Sequence, residues 1–427
     1  MKKYYIILFV IASFITSCTQ VVKREGLSSK SSAMRVVSDI DALKLIDDMG
    51  MQGMAEALKA NIQHLKTKPN HKLQFADIIV SSFDYVESLE KLLNVLLNEP
   101  ANFNSYLASH FDMYEVYGKN NWGEAFITSY YAPEIKGSQK KTKQFSQALY
   151  SLPDDMVIVR LDEFGKAFGE SLGKRFCVDK KNCNIKSDKL GILRARIVQK
   201  KGQPSEITPY FSRKEIDQDK VKVPAKILAW VEPIESFFLQ IQGSGTVVLP
   251  GNKKIKVGYA GQNGHGYEAI GKYLFDVIPR EKMSLQTIEA HLKTLSDNDL
   301  QNLLNKNPSY VFFKENESKP FTYFGIETID GRTIATDKRY FPKGSLGFLQ
   351  FEKPVFPGPE ATVPSSWQPA SRFVFDHDTG GAIKGGGRLD LFWGSGAAAK
   401  QAAGVMKQMG KLYYFKPKAI NAKINLN

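Results

Sequence analysis

A mainly β fold with helices at its N-terminal end is what this 427-residue chain predicts, and three observations carry that expectation. Before Pro100, apolar residues recur at helical spacing. After Pro100 the texture changes to short aromatic and β-branched runs broken by Gly, Pro, Asn and Lys, the pattern of small β-barrels. The length also exceeds what one core fills, since single cores stop growing somewhat below ~300 residues, so two cores are expected.

Met1 to Cys18 reads MKKYYIILFVIASFITSC. Two lysines, an apolar run too short for a lasting span and small residues ending at cysteine describe a secretory leader over residues 1–17. Residues 18–37 are polar, basic and serine-rich, as expected of a tether. Ser38 with Asp41 makes a capping box, and Met51, Met54, Leu58, Ile62 and Leu65 form a helical stripe. Ile79, Phe83, Val86, Leu89, Leu93 and Leu96 form a second, ending before Pro100, so residues 38–100 read as a helical segment whose stripes pack a core. FITSYY, Phe126 to Tyr131, is a strand halted by Pro133. Met156–Leu161, Ile192–Val198, Ile227–Val231, Phe237–Ile241 and Lys254–Tyr259 are further strands. His265–Phe275 and Ser284–Lys306 read as helices, the second broken near Ser296, where Ser296 and Asp299 offer a fresh cap. A closing β set comprises Tyr310–Phe313, Thr333–Ala335, Gly347–Phe351, Arg372–Phe375, Leu389–Trp393 and Leu412–Phe415.

A hydrophobic fraction of 43% and a charged fraction of 24% exclude a disordered chain. The formal net charge is +14, and +12 once Lys2 and Lys3 leave with the leader. Such an excess of base suits an anionic partner, although it equally serves plain solubility. Nucleic acid is the usual partner of a basic chain, but a secreted address argues against it.

The chemistry concentrates in Asp376 to Gly396, DHDTGGAIKGGGRLDLFWGSG. Asp378 and Asp390 flank a turn rich in glycine, which lets backbone bend sharply. Apolar residues precede the first acid (Phe373, Val374, Phe375) and follow the second (Leu391, Phe392, Trp393), placing each carboxylate at a strand end. Partial desolvation there raises a carboxyl pKa toward a value useful for proton donation. Aspartates that only cap a surface hairpin are the competing reading of the same residues.

Other chemistries fall away. Asp378-Thr379-Gly380 is also an aspartic-protease signature, but a single-chain enzyme of that class needs a second copy and none occurs. Gly394-Ser395-Gly396 lacks the rest of a dinucleotide-binding unit. Ser244 in QGSG fails the spacing of a nucleophile elbow. His64, His71, His110, His265, His291 and His377 show no ligand spacing, so no metal and no cofactor are expected; His377 is placed to modulate its neighbour Asp378. Tyr130, Tyr131, Gln242, Gly243, Ser244, Asn263, Lys384 and Trp393 offer aromatic faces with amide, hydroxyl, amine and backbone groups, and are the candidates for contact with a substrate. For any one of them, packing within a core is the competing reading.

The C-terminal run, with TSYYAPEIKGS (Thr128–Ser138), PYFSRKEID (Pro209–Asp217), LAWVEPIESFFLQIQGSG (Leu228–Gly245), YAGQNGHGYEAIGKYL (Tyr259–Leu274), NPSYVFF (Asn307–Phe313) and IATDKRYFPKGS (Ile334–Ser345), closely resembles the membrane-bound lytic murein transglycosylase A (MltA) family. Its C-terminal domain is named for three aspartates, here Asp337, Asp378 and Asp390. The segment before about Leu97 carries none of its motifs, and Cys177 to Asn184 resembles a local insertion. The resemblance implies a double-psi β-barrel from residues 101–132 plus 316–427, an inserted second β-domain over 133–315, and a glycan groove between them. It implies a peptidoglycan lyase of the exotransglycosylase kind, with glycan strands as substrate and other cell-wall enzymes as further partners. Asp390 would serve as acid and then base, with Asp378, Asp337 and Thr128 in support. A two-carboxylate hydrolase and a non-catalytic wall-binding lipoprotein stay open as alternatives.

Ile15-Thr16-Ser17-Cys18 resembles a lipobox, implying a lipid on Cys18, and Thr19 favours the outer membrane facing the periplasm. Cys177 and Cys183 would then be left as either a disulfide or two free thiols.

Overall fold

The computed structural model describes residues 27, 29–37, 44–51, 53–118, 121–168, 191–218, 220–316, 321–381 and 383–418. The leader, Cys18, the Ser38–Asp41 capping box, and Cys177 with Cys183 lie outside them.

A ring of strands closes around the larger core. Lys407–Pro417, Leu346–Val355, Ser366–Asp378, Thr333–Ala335, Arg388–Ser395 and Glu124–Ala132 follow one another, and Glu124–Ala132 pairs back onto Lys407–Pro417. Closure leaves these strands without an open edge. Two of the pairings are parallel, Thr333–Ala335 with Ser366–Asp378 and Arg388–Ser395 with Glu124–Ala132. Phe111–Val116 and Met34–Val36 extend the sheet from Lys407–Pro417. The expected tether therefore contributes a strand at its end: Met34 is buried, which anchors that short edge.

Alternate residues of the strands fill the ring, including Ile127, Ile334, Val374, Leu389, Leu391 and Tyr414, while Phe348, Phe373 and Phe375 take the opposite face, where Phe373 meets Phe103. Two N-terminal helices, Met54–Lys66 and Ser82–Asn98, cover it and share its core through Leu58, Leu65, Tyr85 and Leu89. Each such burial is worth about 1.5–3 kcal/mol. Tyr85 locks the contact: its hydroxyl donates to the Phe415 carbonyl (3.0 Å) and accepts from the Leu346 N–H (2.9 Å). The second stripe differs from expectation. Ile79 belongs to a strand, Ile78–Ser81, paired with Lys72–Phe75, while Phe83 faces solvent and Tyr85 and Leu92 take the buried positions. Ser81 caps that helix through the Asp84 N–H at 3.1 Å.

Across Pro133 the Glu124–Ala132 strand continues into Glu134–Ser138, the entry to a second lobe. Its six-stranded sheet runs Val311–Asn316, Lys253–Gln262, Ser244–Leu249, Glu134–Ser138, Ile227–Val231, Gln147–Tyr150. A three-stranded sheet of Glu206–Pro209, Ile192–Val198 and Met156–Arg160 adjoins it in sequence. The expected strand Phe237–Ile241 is instead part of a helix, Pro233–Gln242, with Pro at its start and Gly243 (φ 78°) closing it in the left-handed region. His265–Phe275 contains only a 3-10 turn, Ile270–Leu274. The Ser284–Lys306 break is where the sequence put it, between helices Leu285–Leu292 and Asp297–Leu304 capped by Ser284 and Ser296. Helix Gly396–Val405 of the barrel lobe lies against the second lobe, where Glu289 and Lys400 pair at 2.8 Å and Gln286 donates to the Gln401 carbonyl at 3.1 Å.

Candidate active site

Strand register brings the two C-terminal acids together. Thr333–Ala335 lies between the strands that carry them, and Ala335 is opposite Asp378 on one side and Asp390 on the other. Two strand spacings of about 4.8 Å set their backbones about 10 Å apart. On the far side of Asp390 the parallel partner is Thr128, and two residues on Tyr130 lies opposite Phe392. Leu389 and Leu391 point into the barrel, so Asp390 and its strand neighbours of the same parity point out of it.

The Thr128 hydroxyl donates to Asp390 Oδ1, and Arg388 Nη2 donates to that hydroxyl at 3.2 Å while standing 3.7 Å from Asp390 Oδ1. The Asp390 side chain keeps 21% of its surface open to solvent, which is access for a reactant rather than full hydration. Burial pushes its pKa up and the Asp378 carboxylate adds to the rise; the Thr128 bond and the Arg388 charge pull the other way, and the net direction is up. Oδ2 is left as the oxygen on which a proton can be carried.

Asp378 is held differently. Tyr130 Oη donates to its Oδ2 at 2.9 Å, and the backbone N–H groups of Tyr323 (3.0 Å) and Thr379 (2.9 Å) donate to Oδ1. With both oxygens engaged, it is a fixed negative charge beside Asp390. Burial and that charge raise the Tyr130 phenol, which stays a donor. Beneath them Lys343 donates to the Asp378 carbonyl at 2.6 Å and pairs with the fully buried Asp376 at 2.6 Å; Thr336 and Tyr414 hydroxyls complete Asp376 at 2.6 and 2.7 Å. The third named aspartate, Asp337, does not contact Asp390. Its carboxylate takes Arg339 Nη2 at 2.6 Å and the Gly385 N–H at 2.8 Å, so it grips the glycine-rich turn, where Gly385 has φ 86°. Burial pushes its pKa up, but these bonds outweigh it and hold the carboxyl below its usual value.

Two family models match this chain: the MltA specific insert domain over residues 126–314 and the 3D domain over residues 332–416. The chain belongs to the MltA family. The membrane-bound lytic murein transglycosylase A of Escherichia coli K12 is 27% identical over 310 residues, 71% of this chain and 69% of that protein. Among solved structures, a membrane-bound lytic murein transglycosylase from Agrobacterium tumefaciens superposes with a TM-score of 0.67 at 22% identity, covering 90% of this chain and 98% of its own. Escherichia coli MltA with bound chitohexaose gives 0.60 at 21% identity, covering 91% and 96%. The fold is thus the MltA fold, a double-psi β-barrel with an inserted second β-domain and a groove between them.

Set on that MltA fold, the sequence-derived residues divide. Thr128, Tyr130, Asp378 and Asp390 form one cluster. Gln242 sits at the lobe junction, where its Oε1 accepts the Tyr131 N–H at 3.1 Å; Gly243 ends the helix there and Ser244 opens the next strand. Lys384 is exposed on the glycine-rich turn. Tyr131 and Asn263 are corrections, and Trp393 stands off the acids. The Tyr131 ring is 2% exposed and packs on Ala399 and Ala403, leaving no face for a sugar. Asn263 is buried and spends its amide on the Phe211 and Pro308 carbonyls (2.8 and 2.9 Å) and the Tyr310 N–H (2.9 Å). Trp393 has the parity of Leu391, opposite to Asp390, and packs on Phe351 and Arg372. His377 also turns away from Asp378: its Nε2 bonds Asn61 Oδ1 at 2.9 Å, and burial lowers its pKa to about 3. Sequence reasoning missed Arg388, which reads as a solvated strand start, and the Lys343–Asp376 pair, whose members are 33 residues apart.

Proposed function

We propose that this chain cleaves the β-1,4 bond between N-acetylmuramic acid and N-acetylglucosamine in peptidoglycan without water, with Asp390 as acid and then base. What carries the reading is the Asp390 carboxyl: partly open, raised in pKa, with one oxygen tied to Thr128 and the other without a hydrogen-bond donor among the described residues. A neutral carboxyl donates its proton to the departing O4 of glucosamine as the C1–O4 bond breaks. Positive charge developing at C1 is met by the new carboxylate and by the Asp378 charge. The muramyl C6 hydroxyl then closes on C1 while its proton passes to Asp390, restoring the acid and leaving a 1,6-anhydromuramyl end. Both transfers use the same face of the sugar, so one group suffices. Thr128 and Arg388 stabilise the carboxylate between the two transfers.

Membership of the MltA family, relatives named as lytic murein transglycosylases, and a family structure holding chitohexaose support the substrate class. Asp378 is poorly placed to be the second carboxylate of a hydrolase, because three donors already occupy it. The names of the relatives also support attachment to a membrane, which here would run through lipid on Cys18 in the outer membrane. The test is Asp390→Asn assayed on purified sacculi: release of soluble muropeptides should be abolished while sedimentation with sacculi persists. Near-normal release would remove Asp390 from the chemistry.

A further inference from the structure

A cavity of about 380 Å³ opens beside the site, between the turn that follows helix Met54–Lys66 and the barrel loops around Tyr323 and Lys338. Lys30, Lys68, Lys72, Lys338, Lys343 and His71 line it, and no carboxylate does. Among the described residues only Lys343 of these five lysines has an ion-pair partner, Asp376. Lys68 and Lys338 instead stand over aromatic rings, Phe324 at 5.1 Å and Tyr323 at 4.3 Å, and Lys338 donates to the Tyr323 hydroxyl at 3.1 Å. His71 donates to the Lys343 carbonyl at 2.8 Å. Burial lowers its pKa, against the bond to Lys343, and the charges of Lys68 and Lys30 lower it further; lysines gathered in one space without a carboxylate favour an anion there.

Tyr323 joins this cavity to the acids, for its side chain lines the space while its N–H holds Asp378. We propose that the cavity receives carboxylates of the murein stem peptide, so that the N-terminal helical segment reads peptide while the barrel cuts glycan. The inference rests on the glycan-cleaving reading above. A muramyl residue seated at Asp390 carries its peptide on the lactyl arm, a flexible chain that reaches about 3.3–3.6 Å per residue when extended. Unpaired lysines held against aromatic faces, in a space without acids, match several carboxylates on a flexible chain better than they match neutral sugar hydroxyls.

The experiment compares the full chain with Lys68→Gln/Lys72→Gln on two substrates: intact sacculi and glycan strands stripped of peptide by an amidase. Lys68 stands on the turn after the first helix and Lys72 opens the strand that follows it, both outside the barrel, and Lys140→Gln/Lys143→Gln removes the same charge from exposed positions elsewhere. The ratio of kcat/KM on sacculi to that on stripped strands should fall about three- to tenfold for the cavity variant, as expected for two partly exposed charge contacts. The control should keep the wild-type ratio, and soluble stem peptides should inhibit wild type on sacculi more than they inhibit the cavity variant. An unchanged ratio with normal activity overturns the inference and leaves the glycan reading intact. Equal losses on both substrates overturn it too, by making the lysines glycan contacts. Binding of anionic phospholipid vesicles that the cavity variant loses, with the ratio unmoved, would assign the cavity to a membrane surface instead. Inactivity of the wild type on both substrates refutes the reading on which the inference stands.

Discussion

Thr128→Val is the most informative single substitution. It removes the hydroxyl that donates to Asp390 Oδ1 and accepts from Arg388 at 3.2 Å, while a β-branched residue keeps the strand and its parallel register. A hydrogen bond to a charged group contributes about 1.5–3 kcal/mol. Arg388 and Asp390 retain 30% and 21% side-chain exposure, so water partly replaces the lost donor and about 1–2 kcal/mol is the working figure. If that bond is stronger to the carboxylate than to the acid, its loss falls on the step between the two proton transfers. At about 1.4 kcal/mol per tenfold, kcat drops about 5- to 30-fold. Because the bond favours the charged form, its loss also raises the Asp390 pKa. The protonated acid then survives to higher pH, so the alkaline limb of kcat/KM moves up, and the deficit in kcat/KM narrows as pH rises. The assay is anhydro-muropeptide release against pH, with thermal unfolding as a check on the fold. A wild-type rate with an unmoved limb, or a limb moved down, would refute the proposed coupling of Thr128 to the acid.

Three further outcomes follow from the same geometry. Asp378→Asn removes the charge that helps raise Asp390, so the alkaline limb of kcat/KM should move to lower pH, with part of the rate lost; a rise would show that Asp378 does not act through its charge. Asp337→Ala leaves Arg339 and the Gly385 N–H unanswered and should cost about 1–3 kcal/mol in denaturant unfolding. Since the folded carboxyl of Asp337 lies below its unfolded value, that contribution is present above the unfolded pKa and fades as pH falls through the folded one, so wild type and variant should converge in acid. Asn263→Ala should destabilise the second lobe by about 1–3 kcal/mol, leaving the Phe211 and Pro308 carbonyls and the Tyr310 N–H without partners. Its affinity for sacculi in the folded state should be unchanged, and a selective loss of glycan affinity would return Asn263 to the binding residues.

Much of the barrel is legible in the sequence because its strands are short aromatic and β-branched runs bounded by Gly, Pro, Asn and Lys. Thr333–Ala335 matches to the residue, and the strand around Leu389–Trp393 differs only at its ends. What failed has local causes. Phe237–Ile241 is a short apolar run that suits a buried strand as well as a buried helix, and Pro233 with Gly243 were the signals that separate them. The hairpin Lys72–Phe75 with Ile78–Ser81 turns at Ala76, whose φ of 49° is a position that Asn or Gly would normally announce. Thr128 and Asp390 are 262 residues apart, and only resemblance to a family could pair them before the parallel register was known. Composition marked Tyr131, Asn263 and Trp393 as sugar-binding types, but type does not give direction. Packing on Ala399 and Ala403 covers Tyr131, buried hydrogen bonds hold Asn263, and strand parity sets the half-buried Trp393 opposite to Asp390.

Digestion of purified sacculi in ¹⁸O-water, with the muropeptides resolved by mass spectrometry, tests the central claim most directly. Transglycosylation by Asp390 predicts anhydromuramyl ends carrying no label. Reducing ends bearing ¹⁸O would mean that water, and not the muramyl C6 hydroxyl, attacks C1.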